Sequence, residues 1–164
     1  MNDTKRNIPL QRRHHIIRVA DGINFKNSKY PFWGVKRQKN NIMKGFINNQ
    51  LKSGDILWFC TNKDNGGKAI GMAEYTVFYD RQDEPLFKIN TFTNEEQGWV
   101  GDGDWDIQIH YKDLYLTEKQ NINVILRGSS SIITYDIDNP NQQNVDNLYQ
   151  HYDGFKSYGE PIKK

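Results

Sequence analysis

The sequence predicts an α+β fold, in which a small curved β-sheet or partial barrel of five or six strands is flanked by two or three helices. Three observations predict it. One central segment is apolar on both faces, several short segments alternate apolar and polar side chains, and one segment carries an apolar stripe at helical spacing. The chain has 164 residues, which is the usual size of one domain.

The first half of the chain supplies a strand, a helix and the central strand. Residues 15–19 are apolar and β-branched and predict the first strand, and a polar loop over 20–31 leads to a short apolar island at 32–35. A helix is predicted over 39–50, and residues 55–60 predict a central strand covered on both sides. Four side chains form the apolar stripe of the helix and should pack onto the sheet: Ile42, Met43, Phe46 and Ile47.

The second half continues the sheet. A tight turn at 62–67 leads to a long partner strand over 68–79, and a polar loop over 94–104 precedes an alternating strand over 105–110. Shorter strands are predicted at 113–116, 122–127 and 132–135, and a final helix by the spacing of Val145, Leu148, Tyr149 and Tyr152. Five side chains are expected to be buried in this sheet: Ile56, Leu57, Phe59, Ile70 and Met72.

Domain organisation follows from composition. We expect a flexible basic arm over 1–13, a single domain over 14–155 and a tail over 156–164. A net charge of +2 excludes a purely electrostatic, histone-like nucleic-acid binder. A local basic patch is present in Lys5, Arg6, Arg12, Arg13, His14 and His15, which form either a solvated terminus or an arm that contacts phosphate.

The cysteine and histidine content does not indicate a metal site or redox chemistry. The single cysteine, Cys60, ends an apolar run and is expected to be a buried structural thiol. The four histidines do not fall at metal-ligand spacings, so no metal and no cofactor are expected. An acidic group indicates a solvated loop: Glu95, Glu96, Asp102, Asp104 and Asp106.

Location and assembly are inferred from the same composition. Without an apolar stretch near eighteen residues or a signal-peptide pattern, we expect an intracellular, cytoplasmic or nuclear monomer that has no membrane partner. Abundant asparagine and lysine would suit an AT-rich genome, such as that of a virus.

The four tryptophans divide into two pairs. Trp58 and Trp105 lie in predicted strands and are expected to be core residues. Trp33 and Trp99 each adjoin a glycine at a loop edge, where the pattern does not require a buried ring. A tryptophan beside a rigid sheet is a candidate surface for stacking a nucleobase.

Several segments together resemble a known family. They are HIIRV at 15–19, KYPFWG at 29–34, the predicted helix, SGDILWF at 53–59 and AIGMAEY at 69–75, and they are followed by WDIQIHYKDL at 105–114. In this order they resemble the YTH and EVE domains of the PUA-like superfamily over about residues 14–135. The resemblance implies a barrel-like sheet with a pocket for one extruded base, which is N6-methyladenine in RNA for YTH domains and a modified base, often in DNA, for EVE domains.

The resemblance also implies roles for individual residues. Trp33 and Trp99 would be the cage walls, Asn24 or alternatively Asp21 would read the base edge, and Gly34 would offer a backbone amide or carbonyl. The sequence departs from the family in having no identifiable third aromatic wall, a position that Val100 or Phe92 could serve. Phosphate contacts would come from the matched segment Arg127, Ser129, Ser130 and Ser131.

The chain itself adds candidate cations next to Trp33. Lys36, Arg37, Lys39 and Lys44 follow it closely and either hold phosphates or form a solvated helix face. The cage geometry predicts that Trp33 and Trp99 face each other across about 7 Å. The Asn24 amide would point into this cleft, and Trp33→Ala would leave the fold intact.

We therefore expect a non-enzymatic reader that inserts a flipped, modified base of RNA or DNA into an aromatic cage. Three alternatives remain open: an EVE-type reader of modified DNA bases, an ASCH-type amidohydrolase acting on modified cytidine, and a protein-interaction module. The amidohydrolase would need Lys36, Thr61 or Thr76, and Glu74 to converge.

Overall fold

A computed structural model of the protein describes residues 13–84, 89–124, 126, 130–135 and 148. Its strands are β1 (His14–Arg18), β2 (Phe32–Val35), β3 (Ile56–Cys60), β4 (Lys68–Asp80), β5 (Ile107–Leu116), β6 (Ile122–Asn123) and β7 (Ile132–Tyr135). Six of them follow the order β2-β5-β4-β3-β1-β7 and curl into a half barrel, while the two-residue β6 pairs with β4. The pair β1–β3 is parallel and the other pairs are antiparallel. The predicted α+β fold with a curved sheet is confirmed.

Three α-helices accompany the sheet in the described part of the chain: α1 (Ile23–Asn27), α2 (Ile42–Gln50) and α3 (Asn94–Gln97). The first and third begin inside segments predicted to be loops, because they are only a turn or so long and have little apolar periodicity. Thr93 and Glu96 cap α3 reciprocally, each side chain accepting the other residue's backbone N–H. None of these helices is long and apolar enough to cross a membrane.

The central strand β3 is buried along its whole length, as its doubly apolar sequence predicts. Leu57 and Phe59 belong to one hydrophobic cluster, and Ile56 and Trp58 belong to a second. All five side chains predicted to be buried in the sheet are at most 4% exposed. Cys60 is also buried, and this burial raises the pKa of its thiol well above the ordinary range, so it is a structural thiol.

The predicted helix over 39–50 is α2 preceded by a 3-10 turn, Lys39–Asn41. Asn40 and Asn41 have positive φ angles of 57° and 55°, so the regular helix starts only at Ile42. Met43 and Ile47 are buried, and Phe46 packs against the first cluster. Ile42 is 57% exposed, and its predicted packing is wrong because it lies at the edge of the stripe in the first helical turn.

The strands of the second half are partly merged. The segments predicted separately at 105–110 and 113–116 form the single strand β5, whose pairing with β4 is interrupted by register shifts. Of the strand predicted at 122–127, the described strand comprises only β6. Leu148 is buried in the second cluster, and the rest of the predicted final helix lies outside the described residues, as do residues 1–12 and 156–164.

The start of β1 corrects the predicted basic patch. His14 and His15 are 1% and 0% exposed, so neither belongs to a solvated or phosphate-binding arm. Trp58 donates its indole N–H to His14 Nδ1 at 2.8 Å. His15 bonds Asp55 Oδ2 at 2.8 Å through Nε2, and its Nδ1 lies 2.9 Å from Thr134 Oγ1. Charge alone groups both histidines with the patch, although His15 already begins the strand predicted over 15–19; burial in the sheet determines their environment.

Candidate functional site

A cavity of about 310 Å³ opens beside the C-terminal end of β1 and is bounded by α1, β2 and the loop before β5. All five residues predicted for the base cage line it: Trp33, Trp99, Asn24, Gly34 and Asp21. A cavity of about 150 Å³ can hold a benzene ring. The space is therefore large enough for a bicyclic ring of nucleobase size.

Trp33 and Trp99 touch each other and do not form two parallel walls. Their ring centroids are 5.0 Å apart and the planes are inclined by 59°, so the predicted 7 Å cleft between them is wrong. Trp99 is only 7% exposed, packs on Phe32 and donates its indole N–H to Ser28 Oγ at 2.8 Å. The polar anchor on Ser28, which local sequence patterns do not show, holds Trp99 inward as a buried inner wall.

Trp33 has a double role. Its ring is half-buried, lines the cavity and packs edge-on against Phe25 with centroids 6.3 Å apart. It also packs against the first hydrophobic cluster. The expectation that Trp33 contributes little to the core is therefore wrong, and its removal should lower stability as well as change the cavity.

Trp105 lines the cavity, although its sequence pattern predicts a core position. It was expected to be a core residue of a strand, but β5 begins only at Ile107 and the Trp105 ring is half-buried and lines the cavity. The ammonium of Lys36 lies 5.5 Å from the centroid of this ring, within cation–π range. A signal that could have found it is Gly103, two positions before Trp105, since Trp99 also follows a glycine, Gly98.

Gly34 shapes the cavity because it has no side chain. A Cβ atom at this position would lie 2.4 Å from Trp105 Cβ, closer than real side chains approach, and 3.1 Å from Trp99 Cζ3, which is a tight contact. The absence of a side chain lets both tryptophans lie directly against β2. Gly34 therefore lies at the cavity as predicted, and its role there is to leave room for the two tryptophan rings.

Asn24 does not have the predicted orientation. Its amide N–H donates to the Val100 carbonyl and its Oδ1 accepts the Val100 N–H, both at 3.1 Å, so the side chain fixes the loop after Trp99. Asp21 is exposed, and its Oδ1 accepts the Ile23 N–H at 3.0 Å. Among the described residues, the second carboxylate oxygen of Asp21 has no hydrogen-bond partner, so Asp21 is better placed than Asn24 to read a ligand.

Three further polar residues line the cavity and were not predicted as base-cage residues: Arg18, Asn62 and Ser131. Arg18 donates through Nε to the Ser130 carbonyl at 2.9 Å, which ties β1 to the segment before β7. The Asn62 Oδ1 is buried without a partner among the described residues. They come from three distant parts of the chain, so only the fold brings them together.

The backbone at the cavity mouth is strained at one position. Ala20 has a φ of 54°, a left-handed conformation that costs a non-glycine residue about 1 kcal/mol or more. It is held there because the Asn62 N–H donates to the Ala20 carbonyl at 2.8 Å. Strain of this kind concentrates at functional sites.

The predicted phosphate-binding residues separate into two groups. Lys36 is exposed next to Trp105, as expected of a rim cation. Arg37 instead forms a bidentate ion pair with Asp80, and Lys44 also pairs with Asp80 at 3.0 Å. These two cations hold the pKa of the Asp80 carboxyl well below its usual range, Arg37 having the larger effect. Arg37 is thus engaged by a nearly buried carboxylate, and its phosphate role stays a prediction.

The other predicted phosphate contacts are tested only in part. The Ser130 hydroxyl donates to the Ile132 carbonyl at 2.9 Å, while Arg127 and Ser129 lie outside the described residues.

The residues considered for an amidohydrolase do not converge in the cavity. Glu74 pairs with Lys112 at 3.1 Å, and Thr61 Oγ1 accepts the Lys68 N–H at 3.1 Å.

A second hollow, of about 300 Å³, shares Trp105 with the first and is strongly acidic. Its carboxylates belong to the predicted acidic loop: Glu95, Asp102, Asp104 and Asp106. In the described part of the chain, no group of three or more histidine, cysteine or acidic side chains is arranged to hold a metal ion.

Comparison with known proteins identifies no family: no family model matches this chain, and neither a curated protein nor a solved structure matches it.

Proposed function

We propose that this chain is a nucleic-acid-binding reader that takes a flipped, modified base, such as N6-methyladenine, into the cavity between α1, β2 and the loop before β5. The observation that carries this proposal is the cavity of about 310 Å³ lined by the two partly exposed rings of Trp33 and Trp105. Aromatic faces are the surfaces on which extruded bases stack.

The energies are of the right order for this function. Extrusion of a base from its stack costs a few kcal/mol, less when the base is mismatched or already single-stranded. Each stacked ring returns about 1–3 kcal/mol. Burial of one added methyl group contributes about 0.8 kcal/mol. Two tryptophans can therefore offset extrusion, and the methyl group adds a modest preference.

In this proposal, Asp21 recognises the edge of the base. Its exposed carboxylate accepts hydrogen bonds only, so it favours a base edge that carries an N–H group. Asn24 acts indirectly, because its amide holds the loop that carries Trp99. Asp21 thus takes the role for which Asn24 was the first candidate.

The charge around the cavity supports one path for a phosphate backbone. Lys36 lies above Trp105 and Arg18 lies in the lining, whereas the neighbouring hollow that shares Trp105 carries four carboxylates. Phosphates are repelled from the acidic side and attracted to the basic one. The strand should therefore cross the mouth on the side of Lys36 and Arg18.

The test is a titration of short RNA and DNA oligomers, with and without N6-methyladenine, against three proteins: wild type, Trp105→Ala and Ile42→Ala. Loss of the Trp105 ring should weaken binding by about 1–3 kcal/mol. Ile42 is an exposed apolar residue outside the cavity, so its removal controls for a general loss of surface hydrophobicity. A thermal melt of each variant confirms that it is folded.

A pair of lysine variants tests the phosphate path. Lys36→Gln should weaken binding of all oligomers to a similar degree and reduce the salt slope by about one unit. Lys52→Gln is the matched control, because Lys52 is exposed in the turn before the N-terminal end of β3, whereas the cavity lies beyond its C-terminal end. If no oligomer binds, or if Trp105→Ala binds as tightly as wild type, the reader proposal is wrong and a protein-interaction module becomes the better hypothesis.

A further inference from the structure

One end of the cavity contains a hydrogen-bond acceptor without a partner. Asn62 lines the cavity where β3 leads into the turn before β4, and its Oδ1 is buried without a partner among the described residues. Buried polar atoms are almost always paired, because a missing hydrogen bond costs free energy. The Asn62 side chain is only half-buried, so a turn of its amide offers this acceptor to a molecule in the cavity. A ligand that donates a hydrogen bond there would supply the missing partner.

The second acceptor at this end of the cavity belongs to Asp21. The Asn62 N–H donates to the Ala20 carbonyl at 2.8 Å and so joins the two segments. Asp21 directly follows, lines the same cavity and uses one carboxylate oxygen for the Ile23 N–H. Ala20 has the strained left-handed backbone, and strain of this kind concentrates at ligand sites. The acceptors of Asp21 and Asn62 therefore come from adjoining segments and share one end of the cavity.

Two neighbouring acceptors select among the nucleobases. A flipped base is read through hydrogen bonds to its Watson–Crick edge. Guanine presents two adjacent donors on this edge, the ring N–H and the 2-amino group. Adenine, N6-methyladenine and cytosine place a ring-nitrogen acceptor beside their amino group, and uracil and thymine have one N–H between two carbonyls. A carboxylate beside an amide oxygen matches the guanine edge, whereas it opposes an acceptor on the other bases.

We propose that the base preferred by this cavity is of the guanine type, and that its ring N–H and 2-amino group donate to Asp21 and Asn62. This inference rests on the proposed function and names the class of base that the cavity takes. A modified guanine fits when the modification leaves both donors in place, as substitution on the five-membered ring does. N6-methyladenine then enters the same cavity as a weaker ligand, and Asn62 is a specificity-determining residue.

The experiment titrates single-stranded oligomers of one sequence that differ only in a central purine, which is guanine, hypoxanthine or N6-methyladenine. Hypoxanthine keeps the ring N–H of guanine and lacks the 2-amino group. Wild type should bind the guanine oligomer about tenfold more tightly than either of the others, because each replacement removes a donor that faces an acceptor of the cavity.

Variants of two asparagines in the same turn test the role of Asn62. Asn62→Ala should weaken guanine binding about tenfold and leave N6-methyladenine binding unchanged. Asn62→Asp keeps an acceptor and should retain most of the preference for guanine. Asn65→Ala is the matched control, because Asn65 is exposed and lies outside the cavity lining, and it should match wild type with every oligomer. A thermal melt of each variant confirms that it is folded.

The outcomes separate the two proposals. If wild type binds N6-methyladenine or hypoxanthine as tightly as guanine, or if Asn62→Ala keeps the full preference for guanine, the guanine inference is wrong. The reader proposal stands in that case, provided that Trp105→Ala weakens binding. If no oligomer binds, or if Trp105→Ala binds every oligomer as wild type does, the reader proposal is wrong and the guanine inference with it.

Discussion

Gly34→Ala should damage both the fold and the cavity, although it adds a single methyl group. The new Cβ would lie 2.4 Å from Trp105 Cβ, 3.1 Å from Trp99 Cζ3 and 3.3 Å from the Trp105 carbonyl oxygen. Non-bonded carbon atoms prefer about 3.5–4.0 Å, so the closest contact is short by about 1 Å or more. Two of the three atoms belong to the backbone region of Trp105 and cannot rotate away. We therefore expect overpacking to destabilise the protein by about 1–3 kcal/mol.

The assay is thermal unfolding followed by oligomer titration of the folded variant. For a chain of this size, each kcal/mol lowers the Tm by about 2–4 °C. Gly45→Ala is the matched control, because a Cβ there meets nothing within 4 Å and the position lies inside α2. The same substitution at Gly45 should raise stability by about 0.5–1 kcal/mol. If Gly34→Ala melts and binds as wild type does, close packing of the tryptophans on β2 does not shape the cavity.

Three further predictions concern acid stability, the ion pair on β4 and the core. Burial lowers the pKa of His14 to about 3 from an ordinary 6.5, so the unfolded chain takes up its proton first. The contribution of neutral His14 to the free energy of unfolding should therefore be fully present above about pH 6.5 and be lost, by up to about 5 kcal/mol, as the pH drops towards 3. His14→Asn keeps a hydrogen-bond acceptor for Trp58 and should flatten this dependence in urea melts measured at several pH values. Arg37→Ala should destabilise by about 1.5–3 kcal/mol, because it removes charged hydrogen bonds to the nearly buried Asp80 carboxylate while Lys44 remains paired with it. The salt slope of binding should not change; a changed slope at unchanged stability would show that Arg37 contacts phosphate. Phe59→Ala should cost about 3–5 kcal/mol in denaturant unfolding, since its ring is fully buried against Phe25; a cost below 1 kcal/mol would contradict this packing.

The fold was predictable where periodicity is strong. The doubly apolar β3 and the long β4 follow directly from the sequence, because burial on two faces leaves a continuous hydrophobic run. Short helices such as α1 were not predictable. They are stabilised by tertiary packing, as shown by Phe25, which is fully buried against Phe59.

The residues around the cavity were predictable as a set, but their orientations were not. Trp33 and Trp99 were selected by their glycine neighbours, and both line the cavity. Trp99 faces inward because of its bond to Ser28, 71 positions away, which no local pattern shows. The pairing of Arg37 was not predictable for the same reason, because its partner Asp80 lies 43 positions away on β4.

The most direct test of the base-reading account is the indole N–H region of a ¹⁵N–¹H spectrum during titration with an oligomer that carries N6-methyladenine. The four tryptophans give four resonances, which tryptophan-to-phenylalanine variants assign. We predict large shifts for Trp33 and Trp105, which line the cavity, and no shift for Trp58, whose N–H is bonded to His14 in the core. Saturable binding that leaves the resonances of Trp33 and Trp105 unmoved would show that the base does not occupy this cavity.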